Sequence, residues 1–152
     1  MNSIMALVLL MAPPEQAAKD LPVVKKMHEV ATAKRKAYGL EPQVLDEECC
    51  EIAQKWANHL AENNYFYHGG GEQIIAMGYE TSESAFGGWL ASSGHRYWVL
   101  SGADKCGWGA AKSAGGTWFW VGVYRNNPKP VVETAPANYA PRRFRPLRRS
   151  RR

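Results

Sequence analysis

A chain of 152 residues has the length of one domain and is long enough to bury a hydrophobic core. Its formal charge of +5 is unevenly placed: residues 126–152 hold eight Lys or Arg against the single acid Glu133, a net +7, which leaves −2 for everything before them. The basic face that nucleic-acid readers present is therefore not implied for the folding part, and no apolar run is long enough to span a bilayer.

Residues 1–20 open with an apolar run from Ile4 to Met11. Its length is that of a signal-peptide core, although no Lys or Arg precedes it and no clean small-x-small cleavage site follows. The reading adopted is export; the alternative is an unprocessed apolar segment packed on the domain. The domain itself is expected over 21–125.

Residues 21–38, "LPVVKKMHEVATAKRKAY", read as a helix. Pro22 suits its first turn, Val23, Met27, Val30, Ala31 and Lys34 follow helical spacing, and Gly39 stops it. His28 falls among the polar positions and is expected at the surface. A second helix spans 46–64, capped by Asp46, with Cys49, Ala53, Trp56 and Leu60 on one stripe. His59 lies off that stripe and is given no role.

The glycines of "HGGGE" forbid a helix, so 68–71 form a loop. "EQIIAM" follows as a short strand. A third helix is capped by Ser82, has Ala85, Phe86, Trp89 and Leu90 as its apolar face, and ends at Gly94. "CGWGAAKSAGGTWFWVGVY" reads as a β-hairpin. In its second strand Trp118, Trp120 and Tyr124 point one way and Phe119, Val121 and Val123 the other. A strand apolar on both faces is covered on both, so a sheet between helical layers is expected, with Trp56, Trp89, Phe119, Val121 and Val123 buried. Residues 126–152, rich in Pro and Arg, lack periodicity and read as extended or disordered. Three cysteines allow at most one bridge, Cys49–Cys106 or Cys50–Cys106, or else serve as small buried hydrophobes.

Five stretches in order, "TAKRKAYGL", "AQKWA", "GEQI", "WLASSGHR" and "GWG" before "WFWVGVY", resemble the CAP superfamily (the SCP domain), compact bacterial branch, over about residues 24–125. The resemblance implies an α+β fold, a three-layer α-β-α sandwich with a small antiparallel sheet between helices. It also implies a cleft with a His-Glu-Glu-His tetrad able in some members to hold a divalent metal. Carried over by motif, His68 stands for the first His, Glu72 for the Glu of G-E-N-I and His95 for the last His. Ser92 occupies the neighbourhood of the second Glu. Gln73 replaces the Asn of G-E-N-I, Thr32 begins the first motif, and only three glycines separate His68 from Glu72.

On that basis His68, Glu72 and His95 are the expected metal ligands. Two imidazoles and a carboxylate suit zinc and leave one position open for water, which a metal could activate for hydrolysis. Without metal, Glu72 and His95 are the candidate catalytic acid–base pair. Ser92 or Ser93 near His95 suggests a nucleophile, although serines commonly end helices.

Two functions follow from the resemblance. The favoured one is an exported, secreted or cell-envelope binding module without catalysis, whose partner is a lipid or a cell-surface component. The other is a metal-assisted hydrolase, a peptidase or cell-wall enzyme. A third reading makes the Arg142–Arg152 tail the working part, binding an anionic polymer or anionic membrane with no sequence-specific reading of nucleic acid.

Overall fold

A computed structural model describes residues 16–125; both the apolar N-terminal run and the basic tail lie outside the described residues. Four helices surround one sheet: α1 (Pro22–Ala37), β1 (Val44–Leu45), α2 (Glu47–Asn63), β2 (Gln73–Met77), α3 (Ser82–Ala91), α4 (Ser93–Val99), β3 (Lys105–Lys112) and β4 (Trp118–Arg125). The strand order is β1-β3-β4-β2. β3 and β4 form the expected hairpin and β2 adds to it antiparallel, with Ile75 opposite Val121. The sheet is mixed rather than purely antiparallel, because β1 joins as a two-residue parallel edge, Leu45 opposite Cys106.

β4 settles the layering. Phe119, Val121 and Val123 pack against α2 residues Ala53, Ala57 and Leu60. On the other face Trp120 and Tyr124 meet Val24 and Met27 of α1, Phe86 and Trp89 of α3, and Trp108 of β3. Phe86 stands edge-on to both Trp89 (4.9 Å) and Trp108 (5.0 Å). Each large side chain buried this way contributes about 1.5–3 kcal/mol, and the edge-on ring pairs add more through their quadrupoles. Trp56, expected in the core, is only half-buried and packs at the margin of the α2 layer.

Close approach decides which residues sit beneath α2. A Cβ at Gly107 would overlap the backbone of Cys49 and Cys50, and one at Gly109 the backbone of Ala53 and Gln54. The helix therefore lies directly on the glycines of β3. Where β1 stops, the side-chain amide of Gln54 takes over the strand edge: its Nε2 donates to Ala110 O (2.8 Å), and Ala110 N–H donates to its Oε1 (3.2 Å). The outer edge of β2 is closed in the same way by Trp89, whose indole N–H donates to Ile75 O (3.0 Å).

Several local readings shift. The buried stripe of α1 is Val24, Met27, Val30, Ala31 and Arg35, one position on from the expected Val23 and Lys34 at its ends. Arg35 is buried because its guanidinium satisfies three carbonyls, those of Glu41 (2.8 Å), Val99 (3.0 Å) and Ser101 (2.7 Å). The last two close the C-terminal end of α4, whose carbonyls have no helical partner. His28 is half-buried, not exposed: its Nδ1 accepts from Trp108 Nε1 (3.4 Å) and lies 3.7 Å from Cys106 Sγ. Burial lowers its pKa below the usual 6.5.

α3 is capped by Thr81 in place of Ser82, since Thr81 Oγ1 accepts from Ser84 N (3.2 Å) while Ser84 Oγ accepts from Thr81 N (3.3 Å). Gly94 does not end α3. The helix breaks two residues earlier at Ser92, which is extended (φ −98°, ψ 124°), and a separate helix α4 starts at Ser93. Asp46 caps α2 as expected, accepting from Cys49 N at 3.2 Å.

Candidate functional site

His68 stands in the loop between α2 and β2, and both of its neighbours are tied down. Trp56 Nε1 donates to Tyr67 O (3.2 Å), and His59 Nε2 meets Tyr67 Oη at 2.6 Å. Asn63 Nδ2 lies 3.3 Å from the Nδ1 of the same ring and donates to His59 O (2.8 Å), which holds the imidazole in place on α2. On the other side Gly69 N–H donates to Gln73 Oε1 (2.9 Å). Gly69 also lies on the Trp56 ring so closely that a Cβ there would come within 2.8 Å of it. Gly70 and Gly71, with φ of 98° and 75°, then turn the chain into β2.

The loop so held brings His68 to His95 in the first turns of α4. Their rings stack with centroids 6.5 Å apart and planes 24° apart. Burial, and then the neighbouring His68, keep the His95 pKa below 6.5, so this imidazole is neutral at pH 7. His95 borders a cleft of about 330 Å³ whose walls include Phe66, Ile75, Met77, Tyr79 and Trp89. Phe66 and Met77 are themselves 47% and 45% exposed, which leaves an apolar rim open to solvent.

Glu72 does not join them. It opens onto a second cavity of about 300 Å³ bordered by Ile52, Gly70, Gly71, Gln73 and Arg125. Its carbonyl accepts from Tyr124 N–H (3.0 Å), which fixes it at the Arg125 end of the sheet. A strand advances about 3.3 Å per residue, so Glu72 stands ~10 Å along the chain from Ile75, the first β2 residue in the wall of the His95 cleft. Among the described residues no group of three or more His, Cys, Asp or Glu side chains could hold a metal ion. The expected ligand set of His68, Glu72 and His95 is thus not assembled, and two imidazoles alone do not supply the donors a zinc site needs. The short glycine loop is the reason: it directs His68 toward α4 and leaves Glu72 at the strand end.

Ser92 lines the His95 cleft, with its backbone carbonyl accepting from Arg96 N (2.8 Å) at the start of α4. Among the described residues no hydrogen bond joins Ser92 or Ser93 to His95. Glu83 serves the packing of two helices. Its carboxylate pairs with Lys26 of α1 at 2.9 Å, and that hydrogen bond pulls its pKa down to about 2. Trp56, His59 and Gln73 take a role that the sequence did not assign to them, as tethers of the His68 loop. In the structure Trp56 and His59 stack on one side of α2, with centroids 4.8 Å apart.

Helices on both faces of a four-stranded sheet place the protein among small α-β-α domains. The chain belongs to the CAP family, described as the cysteine-rich secretory protein family, whose model matches residues 29–124. No curated protein matches it by sequence. Among solved structures it is similar to an outer surface protein from Borrelia burgdorferi, at 21% identity and a TM-score of 0.59, covering 66% of this chain and 89% of that one. It is also similar to MpPR-1i (20% identity, TM-score 0.53, 69% and 87% covered) and to a hookworm platelet inhibitor (14%, 0.55, 76% and 75%). At such identities the likeness concerns the fold.

Proposed function

We propose that the protein is an exported, non-catalytic binding module whose His95 cleft takes an apolar ligand such as a lipid chain. One observation carries the reading: Glu72 and His95, the candidate acid–base pair, open onto different cavities, while the cavity at His95 is walled by Phe66, Met77, Tyr79 and Trp89. A reaction centre needs its acid and base within reach of one substrate bond. An apolar-walled cavity with a few polar groups at its edge is instead suited to holding a ligand. The surface location named for the Borrelia neighbour is consistent with export. The Arg142–Arg152 tail would add electrostatic attachment to an anionic polymer or membrane, weakening as salt rises.

The test is titration of the full chain with a fluorescent fatty acid, alongside Met77→Glu and Glu72→Gln. The reading expects saturable binding that Met77→Glu weakens at least tenfold and Glu72→Gln leaves alone. Peptidase or cell-wall hydrolase activity that Glu72→Gln or His95→Ala abolishes would overturn it in favour of the hydrolase.

A further inference from the structure

Cys49 and Cys50 are neighbours in the first turn of α2, where successive side chains diverge by about 100°. They consequently enter different cores. Cys49 packs with Ala53, Phe119 and Val121 between α2 and the sheet. Cys50 packs with Trp108 and Tyr124 on the opposite side, and Cys106 of β3 belongs to that same cluster. The backbone brings these two close. Cys106 O accepts from Asp46 N–H (2.9 Å), and Asp46 O accepts from Cys50 N–H (3.0 Å), so two consecutive hydrogen bonds connect them. One residue on, Gly107 lies against the backbone of Cys49 and Cys50 with no room for a side chain between. All three cysteines are free thiols in the structure, and each is fully buried.

We infer that Cys50 and Cys106 are joined by a disulfide when the chain folds in an oxidising compartment, and that Cys49 stays a free thiol. The inference is independent of the ligand cleft. The oxidant is a small-molecule disulfide such as oxidised glutathione, or the disulfide of a thiol oxidoreductase. One cysteine thiolate attacks a sulfur of that disulfide, forms a mixed disulfide and releases one thiol. The second thiolate then attacks the protein sulfur of the mixed disulfide and releases the other thiol. Two protein thiols lose two electrons, and the oxidant takes up those electrons and both protons as two thiols. In the finished fold, burial pushes the Cys50 thiol up to about 11 and the Cys106 thiol higher still. Few thiolates then remain, and the exchange belongs to folding, before α1 closes over β3. The bond ties the first turn of α2 to β3 and shrinks the unfolded ensemble.

The test refolds the full chain from the reduced, unfolded state, once in a glutathione redox buffer and once in excess dithiothreitol. Free thiols are then alkylated, and peptides are mapped by mass spectrometry with fragment spectra that separate Cys49 from Cys50. The oxidised sample is expected to carry a single label, on Cys49, with a Cys50–Cys106 cross-linked peptide, whereas the reduced sample carries labels on all three cysteines. The oxidised form should also unfold at higher urea concentration, and Cys49→Ser should keep the cross-link. Labels on all three cysteines after oxidative refolding, or a Cys49–Cys106 cross-link, would overturn the assignment. The wild-type map decides this whether or not serine variants at Cys50 or Cys106 fold.

Discussion

The imidazole of His68 lies stacked against that of His95, 6.5 Å between ring centroids, and His95 borders a cleft that Glu72 does not line. The neighbouring His68 makes protonation of His95 harder, because charge on one ring disfavours charge on the other. His68→Ala is therefore expected to raise the His95 pKa without restoring it fully to 6.5, since burial, the larger cause of its depression, remains. Proton NMR titration of the ring signals reads this directly. An unmoved His95 in the variant would mean the rings do not interact.

Stability should respond to acid before the carboxylates titrate. His28 and His95 both have folded pKa values below 6.5, principally through burial. The unfolded chain then binds more protons in the window just below pH 6.5. Stability is full above that pH and falls as the pH drops through the window toward the folded values. Urea midpoints measured at pH 7.5, 6.5 and 5.5 should decline in that order. His28→Asn keeps an acceptor for Trp108 Nε1 and removes one titration, so its profile should be flatter. A parallel profile would remove His28 from the account.

Gly69→Ala tests the tether of the cleft loop. The backbone at Gly69 is not in the left-handed region, so the penalty is steric: the new methyl comes within 2.8 Å of the Trp56 ring. Overpacking of this kind costs roughly 1–3 kcal/mol. The loop should move off Trp56, and His68 with it. Denaturant unfolding would show the loss, and the His68 and His95 ring signals should shift together. Wild-type stability with unchanged signals would show that the contact does not hold the loop.

Arg35→Met should be among the more damaging single changes. It keeps the aliphatic stem but leaves the carbonyls of Glu41, Val99 and Ser101 without their donor, two of them in buried surroundings. Each unsatisfied buried group costs about 1–3 kcal/mol, so a loss near 3 kcal/mol is expected by chemical denaturation. A change below about 1 kcal/mol would mean water replaces the guanidinium there.

Zinc titration followed by calorimetry should give no saturable site for either the wild type or Glu72→Gln, because the carboxylate stands apart from the two imidazoles. Saturable one-to-one binding that Glu72→Gln abolishes would show that the loop rearranges to gather all three ligands.

Much of the architecture was legible in the sequence because helix and strand periods are local. The α2 stripe, the Asp46 cap, the β3–β4 hairpin and the two apolar faces of β4 each follow from residues a few positions apart, and together they require helices on both sides of a sheet. Periodicity says which side of an element is covered but not what covers it. That is why the burial of Arg35 and His28 escaped it: one depends on carbonyls 64 and 66 residues away, the other on an indole 80 residues away. The parallel edge β1 is two residues long and exists only through its pairing with Lys105 and Cys106. The break at Ser92 and the start of α4 likewise left no Gly or Pro at the point of change.

The candidate site divides along the same line. Motif order in the chain placed His68, Glu72 and His95 in one family pattern, and that order cannot say where each side chain ends up. Tertiary structure decided it: Trp56, His59 and Gln73 hold the glycine loop so that His68 meets His95, while pairing with β4 keeps Glu72 at the far end of β2. Sequence by itself determined the layers, because burial of a periodic face is a local demand. Only the fold could determine the site, because convergence of side chains depends on how a loop is tethered to elements distant in the chain.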